Sequence, residues 1–147
     1  LNTERSRLKA AQRQKWRHRL KMTPTQRTIK LLLDQGVTCW PVEMFIILPN
    51  RHGIRIDLFS IIDLLAISQH TTLGIQSCGS NLAEHIRKLT VEKYQESATW
   101  LDGPRQLFVY GWRKVKLRRG SAALRWRPRI AEITLDSSGD PVITEHK

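Results

Sequence analysis

The chain has 147 residues, and its 25 lysines and arginines against 13 acidic residues give a net charge of +12 and an isoelectric point near 10.5. This length suits one domain and excludes two, and the cationic excess favours a polyanionic partner such as nucleic acid. No apolar run approaches the roughly 20 residues of a membrane span, and the basic N-terminus lacks the apolar segment of a signal peptide. Two cysteines suit a reducing compartment, so we expect a cytoplasmic protein with no membrane partner.

The first 22 residues form a basic arm. Residues 4–21 contain good helix formers and nine basic groups when His18 is counted. Few apolar side chains are available for burial, so little would hold such a helix against a core. Its regular basic positions fall on one side of a helix, and they are Arg5, Lys9, Arg13 and Arg17. The arm is therefore either a solvated extension or an element that lies against phosphates.

A helix is predicted over residues 25–35. Thr23 is the predicted N-cap, Pro24 occupies the first helical position and Gln26 completes a capping box. Gly36 is expected to end the helix. The predicted inward face carries Ile29, Leu32 and Leu33.

A first strand is predicted over residues 37–48, because β-branched and aromatic residues dominate this stretch. Glu43 is the only acid in it, and is either a solvent-facing edge residue or a third carboxylate near the acids further along the chain. Residues 49–53 have the composition of a turn. Arg51 lies in this turn and Arg55 follows it, and both are either phosphate contacts or simply exposed.

The apolar run at residues 61–67 predicts a strand buried on both faces. Asp63 lies inside it, and a buried carboxylate is costly unless it is paired or bound to a metal. Asp57 precedes the run, and either joins Asp63 as a metal ligand or caps a turn. A second strand, residues 73–77, follows a polar hairpin tip, which would place Gln76 beside Asp63.

A second long helix is predicted to begin at Ser80 as N-cap. The free N–H groups at its start predict an anion site made by Ser77, Ser80 and Asn81, although capping alone would also explain Ser80. Leu82, Ile86 and Leu89 form the predicted core stripe. Arg87 and Lys88 follow on the helix, and Lys88 lies roughly 12 Å along the axis from Ser80. Lys88 is therefore either a catalytic lysine or a surface lysine that contacts phosphate.

Two further strands are predicted, residues 107–112 and 124–135, with a polar tail at 137–147. Strand alternation places Arg125, Arg127 and Arg129 on one face. Their basic neighbours are Arg113, Lys114, Lys116, Arg118 and Arg119. This density of positive charge favours a nucleic-acid-facing ribbon over a plain solvated face, whereas Trp112 and Trp126 are expected to be core residues.

Three pieces of the chain resemble the PD-(D/E)xK nuclease superfamily, and within it a phage and bacterial subgroup described as Holliday-junction-resolvase-like. They are DLFSIIDLLAI at 57–67, GIQSCGSN at 74–81 and the Arg87-Lys88 pair. The likeness covers residues 23–135. It implies an α/β fold with a restriction-endonuclease-like core, in which a mixed sheet is flanked by helices, over a nuclease-like domain at 23–136. It also implies a bacterial or phage-infected cell.

The resemblance implies a metal-dependent DNA endonuclease. Asp57, Asp63 and Glu43 would hold Mg²⁺ or Mn²⁺, with Gln76 as a neutral ligand and Lys88 as the lysine. The chain departs from the family pattern, because Gln76 stands where the triplet has an acid and Cys78 where it has a lysine. Branched DNA is the implied substrate, and a homodimer the implied form. The alternative is an inactive nuclease-fold module that binds DNA or RNA within a larger nucleoprotein assembly.

Overall fold

The structure, a computed structural model, describes residues 21–147, so the predicted basic helix of the arm lies outside the described residues. The helices are α1 (Pro24–Asp34), α2 (Leu82–Arg87), a π-helical turn (Lys88–Glu92) and α3 (Tyr94–Leu101). The strands are β1 (Thr38–Pro41), β2 (Met44–Ile47), β3 (Gly53–Ile56), β4 (Leu64–Ile67), β5 (Thr72–Cys78), β6 (Arg105–Lys116), β7 (Leu124–Leu135) and β8 (Pro141–His146). Within 21–147, no helix combines the length and apolar character needed to cross a membrane.

Six strands form a mixed sheet in the order β1-β4-β5-β6-β7-β8, and β5 with β6 is its parallel pair. Alternate residues of β6 point to opposite faces. Phe108 packs with Leu32 of α1 on one face, and Leu107 packs with Leu82 and Leu89 on the other. The sheet is therefore covered by helices on both faces, which confirms the α/β class.

Helix α1 begins as the sequence predicts. The Thr23 hydroxyl accepts from the Gln26 N–H, and the Gln26 side chain accepts from the Thr23 N–H, so the capping box is complete. Gly36 follows the helix with a φ of 75°, which glycine adopts without steric cost. The predicted inward face of α1 is wrong at Leu33, which is 57% exposed. The residues of α1 that are buried are Thr28 and Leu32, which lie four positions apart on one side of the helix.

The predicted strand at residues 37–48 is two strands in two different sheets. After β1 the chain leaves the main sheet, and the Val42 N–H donates to the carbonyl of Asp63. Strand β2 then pairs with β3 in a separate hairpin. All eight residues of β2 and β3 are exposed, although six are apolar and bulky: Met44, Phe45, Ile46, Ile47, Ile54 and Ile56. The apolar pattern therefore does not correspond to burial here.

The central strand is shorter than predicted. Strand β4 covers only Leu64–Ile67, and Ile61 and Ile62 are fully buried without belonging to it. A tight turn precedes the strand, closed by the pairing of Leu58 with Ile62. The β4–β5 hairpin is confirmed, with Ile67 opposite Thr72.

Two predictions for the second half of the chain are wrong. Helix α2 begins after Asn81, not Ser80, and no side chain caps it. The helix is also interrupted by the π-helical turn, in which Leu89 is fully buried. Residues 141–146, predicted as a polar tail, form the edge strand β8, paired with β7 from Leu135 opposite Pro141 to Ile130 opposite His146.

Replacing Ser60 by glycine is expected to raise stability. Phe59 and Ser60 both adopt left-handed backbone, with φ of 54° and 62°. This conformation costs an L-residue about 1–2 kcal/mol, and glycine adopts it freely but loses more entropy on folding. We therefore expect Ser60→Gly to stabilise by about 0.5–1 kcal/mol in urea unfolding. Ser137→Gly, in an exposed turn without positive φ, should be neutral or destabilising. Equal effects of both substitutions would contradict strain at Ser60.

Candidate active site

Five polar side chains from five separate segments meet at one end of the β4–β5 strand pair, inside the main sheet. Asp57 comes from the turn after β3, Asp63 directly precedes β4, and Gln76 lies in β5. The other two are Glu43, between β1 and β2, and Lys88, the first residue of the π-helical turn. The pairing of β4 with β5 sets Asp63 next to Gln76, whereas Glu43, Asp57 and Lys88 are brought in by the path of the whole chain.

Hydrogen bonds link four of these groups. The Gln76 side-chain amide donates to Asp57 Oδ2 at 2.8 Å and to Asp63 Oδ1 at 3.2 Å. The Lys88 Nζ donates to Asp57 Oδ2 at 3.0 Å. Asp63 Oδ2 accepts the Ser77 N–H at 2.8 Å. The site therefore holds one lysine and one amide directly against two carboxylates.

A second layer fixes the end of β5 behind the acids. The Ser77 hydroxyl donates to Thr28 Oγ1 at 3.0 Å, and the Trp112 indole N–H donates to the same atom at 2.9 Å. Thr28 in turn donates to the Pro24 carbonyl at 3.1 Å. Thr28 is fully buried and was missed from the sequence, since nothing in a helical threonine marks it as a hub. Ser77, for which the sequence predicts a phosphate contact, is part of this support.

The donor set suits a hard divalent cation. One oxygen each of Glu43, Asp57 and Asp63 lies within 4.8 Å of the others. Gln76 Oε1 is buried without a hydrogen-bond partner. Since rotation of the amide exchanges its oxygen and nitrogen, that oxygen can turn toward the acids. Three carboxylates and an amide oxygen are typical ligands of Mg²⁺, Mn²⁺ or Ca²⁺, so the residues fit such an ion without selecting one of them.

Cys78 does not take part in the site. It is 4% exposed and belongs to the apolar cluster with Ile62 and Leu82. Burial raises the pKa of its thiol to about 11, so it is a neutral core residue. The positively charged side chain of the site is Lys88, which lies on the helical segment after β5 and contacts Asp57. Although Lys88 is far along the helix from Ser80, its side chain therefore reaches the carboxylates.

The pKa values of Asp57 and Asp63 are shifted in opposite directions. Burial raises the pKa of Asp63 to about 7, and the nearby Asp57 charge adds to this. Burial also disfavours the Asp57 charge, but hydrogen bonds, above all from Lys88, outweigh it and lower the pKa of that group. Asp57 is thus the ionised partner, and Asp63 titrates near neutrality in the metal-free protein.

The predicted nucleic-acid contacts divide into two groups. Three arginines form ion pairs on the protein itself: Arg55 with Glu43 at 3.2 Å, Arg87 with Glu92 at 3.3 Å and Arg129 with Glu145 at 2.7 Å. Within residues 21–147 the others form no ion pair, and they are Arg51, Arg113, Lys114, Lys116, Arg118, Arg119, Arg125 and Arg127. Apart from Arg51, which lies in the turn between β2 and β3, the second group supplies exposed positive charge along β6, β7 and the loop that joins them.

The alternation predicted for β7 is confirmed. Arg127 lies opposite Arg113, and Trp126 lies opposite Lys114, so arginines occupy one face of the ribbon and a tryptophan the other. Trp112 is buried as expected, but Trp126 is 39% exposed and is not a core residue. The ribbon therefore presents charge on one face, and charge with an aromatic ring on the other.

Comparison with protein-family models, with curated proteins and with solved structures finds no match. Geometry and chemistry alone therefore bear on what the site does.

The metal-free protein is expected to lose stability as pH rises toward neutrality. Asp63 holds a proton in the folded state up to a pKa of about 7, against an ordinary value of 3.8. Between these values the folded state binds more protons, so its stability falls with rising pH. His85 acts in the opposite direction, because burial lowers its pKa.

The Asp63 contribution is isolated by the difference between the native chain and Asp63→Asn. In urea unfolding with chelator, we expect this difference to change by about 1–3 kcal/mol between pH 5 and pH 8, since one proton is worth about 1.4 kcal/mol per pH unit. Parallel pH profiles of the two proteins would show that Asp63 is ionised throughout.

Proposed function

We propose that the chain is a metal-dependent phosphodiester hydrolase, an endonuclease acting on DNA, built on a restriction-endonuclease-like core of the PD-(D/E)xK type. The observation that carries the proposal is the convergence of Glu43, Asp57, Asp63, Gln76 and Lys88 at one end of β4 and β5, in a chain with a net charge of +12. A carboxylate cluster in a strongly cationic molecule is suited to a substrate that is itself an anion.

Each side chain has a role that follows from its surroundings. Glu43, Asp57 and Asp63 would hold the cation, and Gln76 would add an oxygen by turning its amide. A bound Mg²⁺ or Mn²⁺ supplies Lewis acidity at the phosphate and lowers the pKa of a coordinated water. Lys88, whose side chain is 30% exposed and whose ammonium contacts Asp57, would neutralise charge on the phosphate.

The exposed basic residues of β6 and β7 would provide affinity for the DNA backbone. Because this affinity comes from phosphate contacts, binding is expected to weaken steeply with salt. The ion-paired Arg55 has a different role: it holds Glu43 at 3.2 Å, which positions a ligand rather than a phosphate.

A second candidate is an inactive module of the same fold that binds DNA or RNA within a larger assembly. The observation in its favour is the donor set itself. A glutamine supplies no charge where the superfamily's triplet has an acid, and Cys78 is buried away from the site. A neutral oxygen binds a hard cation more weakly than a carboxylate does.

A cleavage assay distinguishes the two. Purified protein is incubated with labelled duplex, single-stranded and four-way-junction DNA in Mg²⁺, Mn²⁺ or chelator. The hydrolase proposal requires cleavage that depends on the metal and on Asp63. Salt-sensitive binding without cleavage of any of these substrates would favour the binding module.

A further inference from the structure

A second feature of the structure is a cavity of about 610 Å³ on the α1 side of the sheet. Four basic residues line it, and they are Lys21, Arg27, Arg113 and Lys114. Trp112 and Trp126 contribute aromatic surface. In the described part of the chain, no acidic residue lines the cavity. Its volume lies within the usual range of small-molecule sites, and its charge selects an anion.

The cations in the cavity are organised around Trp126. The guanidinium carbon of Arg27 lies 3.9 Å from the Trp126 ring centroid, and the Lys114 Nζ lies 5.3 Å from it. Such contacts hold a cation in place while its N–H donors stay free. Among residues 21–147 no carboxylate pairs with either cation. A fixed guanidinium without a counter-ion is a suitable receptor for phosphate.

The cavity is linked to the carboxylate site through Ser77. The Ser77 N–H holds Asp63, while its hydroxyl shares Thr28 Oγ1 with the Trp112 indole of the cavity wall. Gly79 and Ser80 also line the cavity. They follow Ser77 by two and three residues, which is roughly 7–10 Å of extended chain. Both places therefore lie near the carboxyl-terminal end of β5, with the carboxylates on the α2 face of the sheet and the cavity on the α1 face. A flexible single strand that passes around this end of the sheet can reach both.

The shape of the cavity favours an unpaired nucleotide over a duplex. Bases of a duplex are stacked inside the helix and cannot enter a concave site, whereas an unstacked base can lie against an aromatic ring. Arg27 covers one face of the Trp126 ring, and the ring, on a residue that is 39% exposed, offers its remaining surface to a base. The phosphate groups of either form could reach Arg27 and Lys114, so the ring is what discriminates.

We propose that this cavity binds one unpaired nucleotide flanking the cleaved phosphodiester, with its phosphate on Arg27 and Lys114 and its base against Trp126. The proposal rests on the proposed function for the position of the cleaved bond. It narrows the substrate class to DNA that carries unpaired nucleotides beside the cleavage point, such as single strands or branch points.

The test is binding of a labelled short single strand and of a blunt duplex of the same sequence, measured with chelator. Trp126→Leu is expected to weaken single-strand binding by about 5- to 100-fold, since one stacked base contributes about 1–3 kcal/mol, and to weaken duplex binding only a few-fold. Arg27→Gln is expected to weaken both by a similar factor, because the phosphates of either form reach its guanidinium. Lys30→Gln is the matched control: it removes the same charge from α1, but Lys30 is 62% exposed and paired with Asp34. It should leave both affinities nearly unchanged.

Further variants keep the test decisive if Trp126→Leu fails to fold. Trp126→Phe retains a ring and should bind nearly as the native chain does, while Arg27→Lys should fall between the native chain and Arg27→Gln. Equal losses on single strand and duplex in Trp126→Leu would overturn the unpaired-nucleotide proposal, and unchanged binding in both Trp126→Leu and Arg27→Gln would remove the cavity as a site. Because no metal is present, these results stand even if the chain cleaves nothing, so failure of the hydrolase proposal is separately visible.

Discussion

Asp63→Asn is expected to abolish metal-dependent cleavage, with a fall of about 10³-fold or more in the single-turnover rate, while the protein stays folded. Asp63 is the buried one of the three carboxylates, at 5% exposed, and each of its oxygens accepts a hydrogen bond, one from the Ser77 N–H and one from the Gln76 amide. Losing its charge removes several kcal/mol of cation binding and phosphate stabilisation, and each ~1.4 kcal/mol is tenfold in rate. DNA binding in chelator should be unchanged or tighter, since one negative charge is gone.

The substitution keeps one of the two hydrogen bonds of Asp63 and rearranges the other. The side-chain oxygen that Asp63→Asn retains can still accept the Ser77 N–H. The new amide faces Gln76 Nε2, so the Gln76 amide must turn for its unpartnered Oε1 to accept from it, which gives up the Gln76 donation to Asp57. We therefore expect stability at pH 8 in chelator to rise, because a buried charge has been removed. Asp102→Asn, in the exposed turn after α3, is the control and should cleave as the native chain does. Normal cleavage by Asp63→Asn would remove the carboxylate site from the mechanism.

The part of the site that the sequence predicts is the local part. Asp63 and Gln76 are neighbours because a short hairpin sets the register, and hairpin register follows from alternation and turn length. Glu43 and Lys88 are different. Glu43 depends on the chain leaving the sheet after β1, and Lys88 on α2 packing back over the sheet through Leu82 and Leu89. Neither the path of the chain after β1 nor the packing of α2 is indicated by the residues next to Glu43 or Lys88.

The errors in the fold have the same origin. The apolar stretch at Met44–Ile47 has the composition of a core strand, yet it lies in a two-stranded hairpin whose residues are all exposed, so composition alone does not decide burial. Strand β8 is the opposite case: its apolar residues Val142 and Ile143 are adjacent, so it lacks the apolar alternation that marks a strand, and five of its six residues are exposed. Edge position, which only the assembled sheet defines, explains why β8 was missed.

Lys88→Met is expected to lower the single-turnover cleavage rate at saturating DNA by about 10²-fold, a typical contribution of a charged group acting at the reacting centre. The side chain is 30% exposed and its ammonium lies 3.0 Å from Asp57, so it combines access to substrate with contact to a ligand carboxylate. The dissociation constant for DNA in chelator should rise only a few-fold. Lys88→Arg should recover part of the rate, because it restores the charge but not the geometry.

Arg87→Met provides the matched control, because Arg87 is the preceding residue, carries the same charge and is 70% exposed in its pair with Glu92. Its loss should weaken DNA binding slightly and leave the saturated rate unchanged. The split between rate and affinity then separates the two roles that the sequence leaves open for Lys88. If Lys88→Met and Arg87→Met both change affinity alone, Lys88 is a phosphate contact, and the site lacks the lysine that the nuclease superfamily uses.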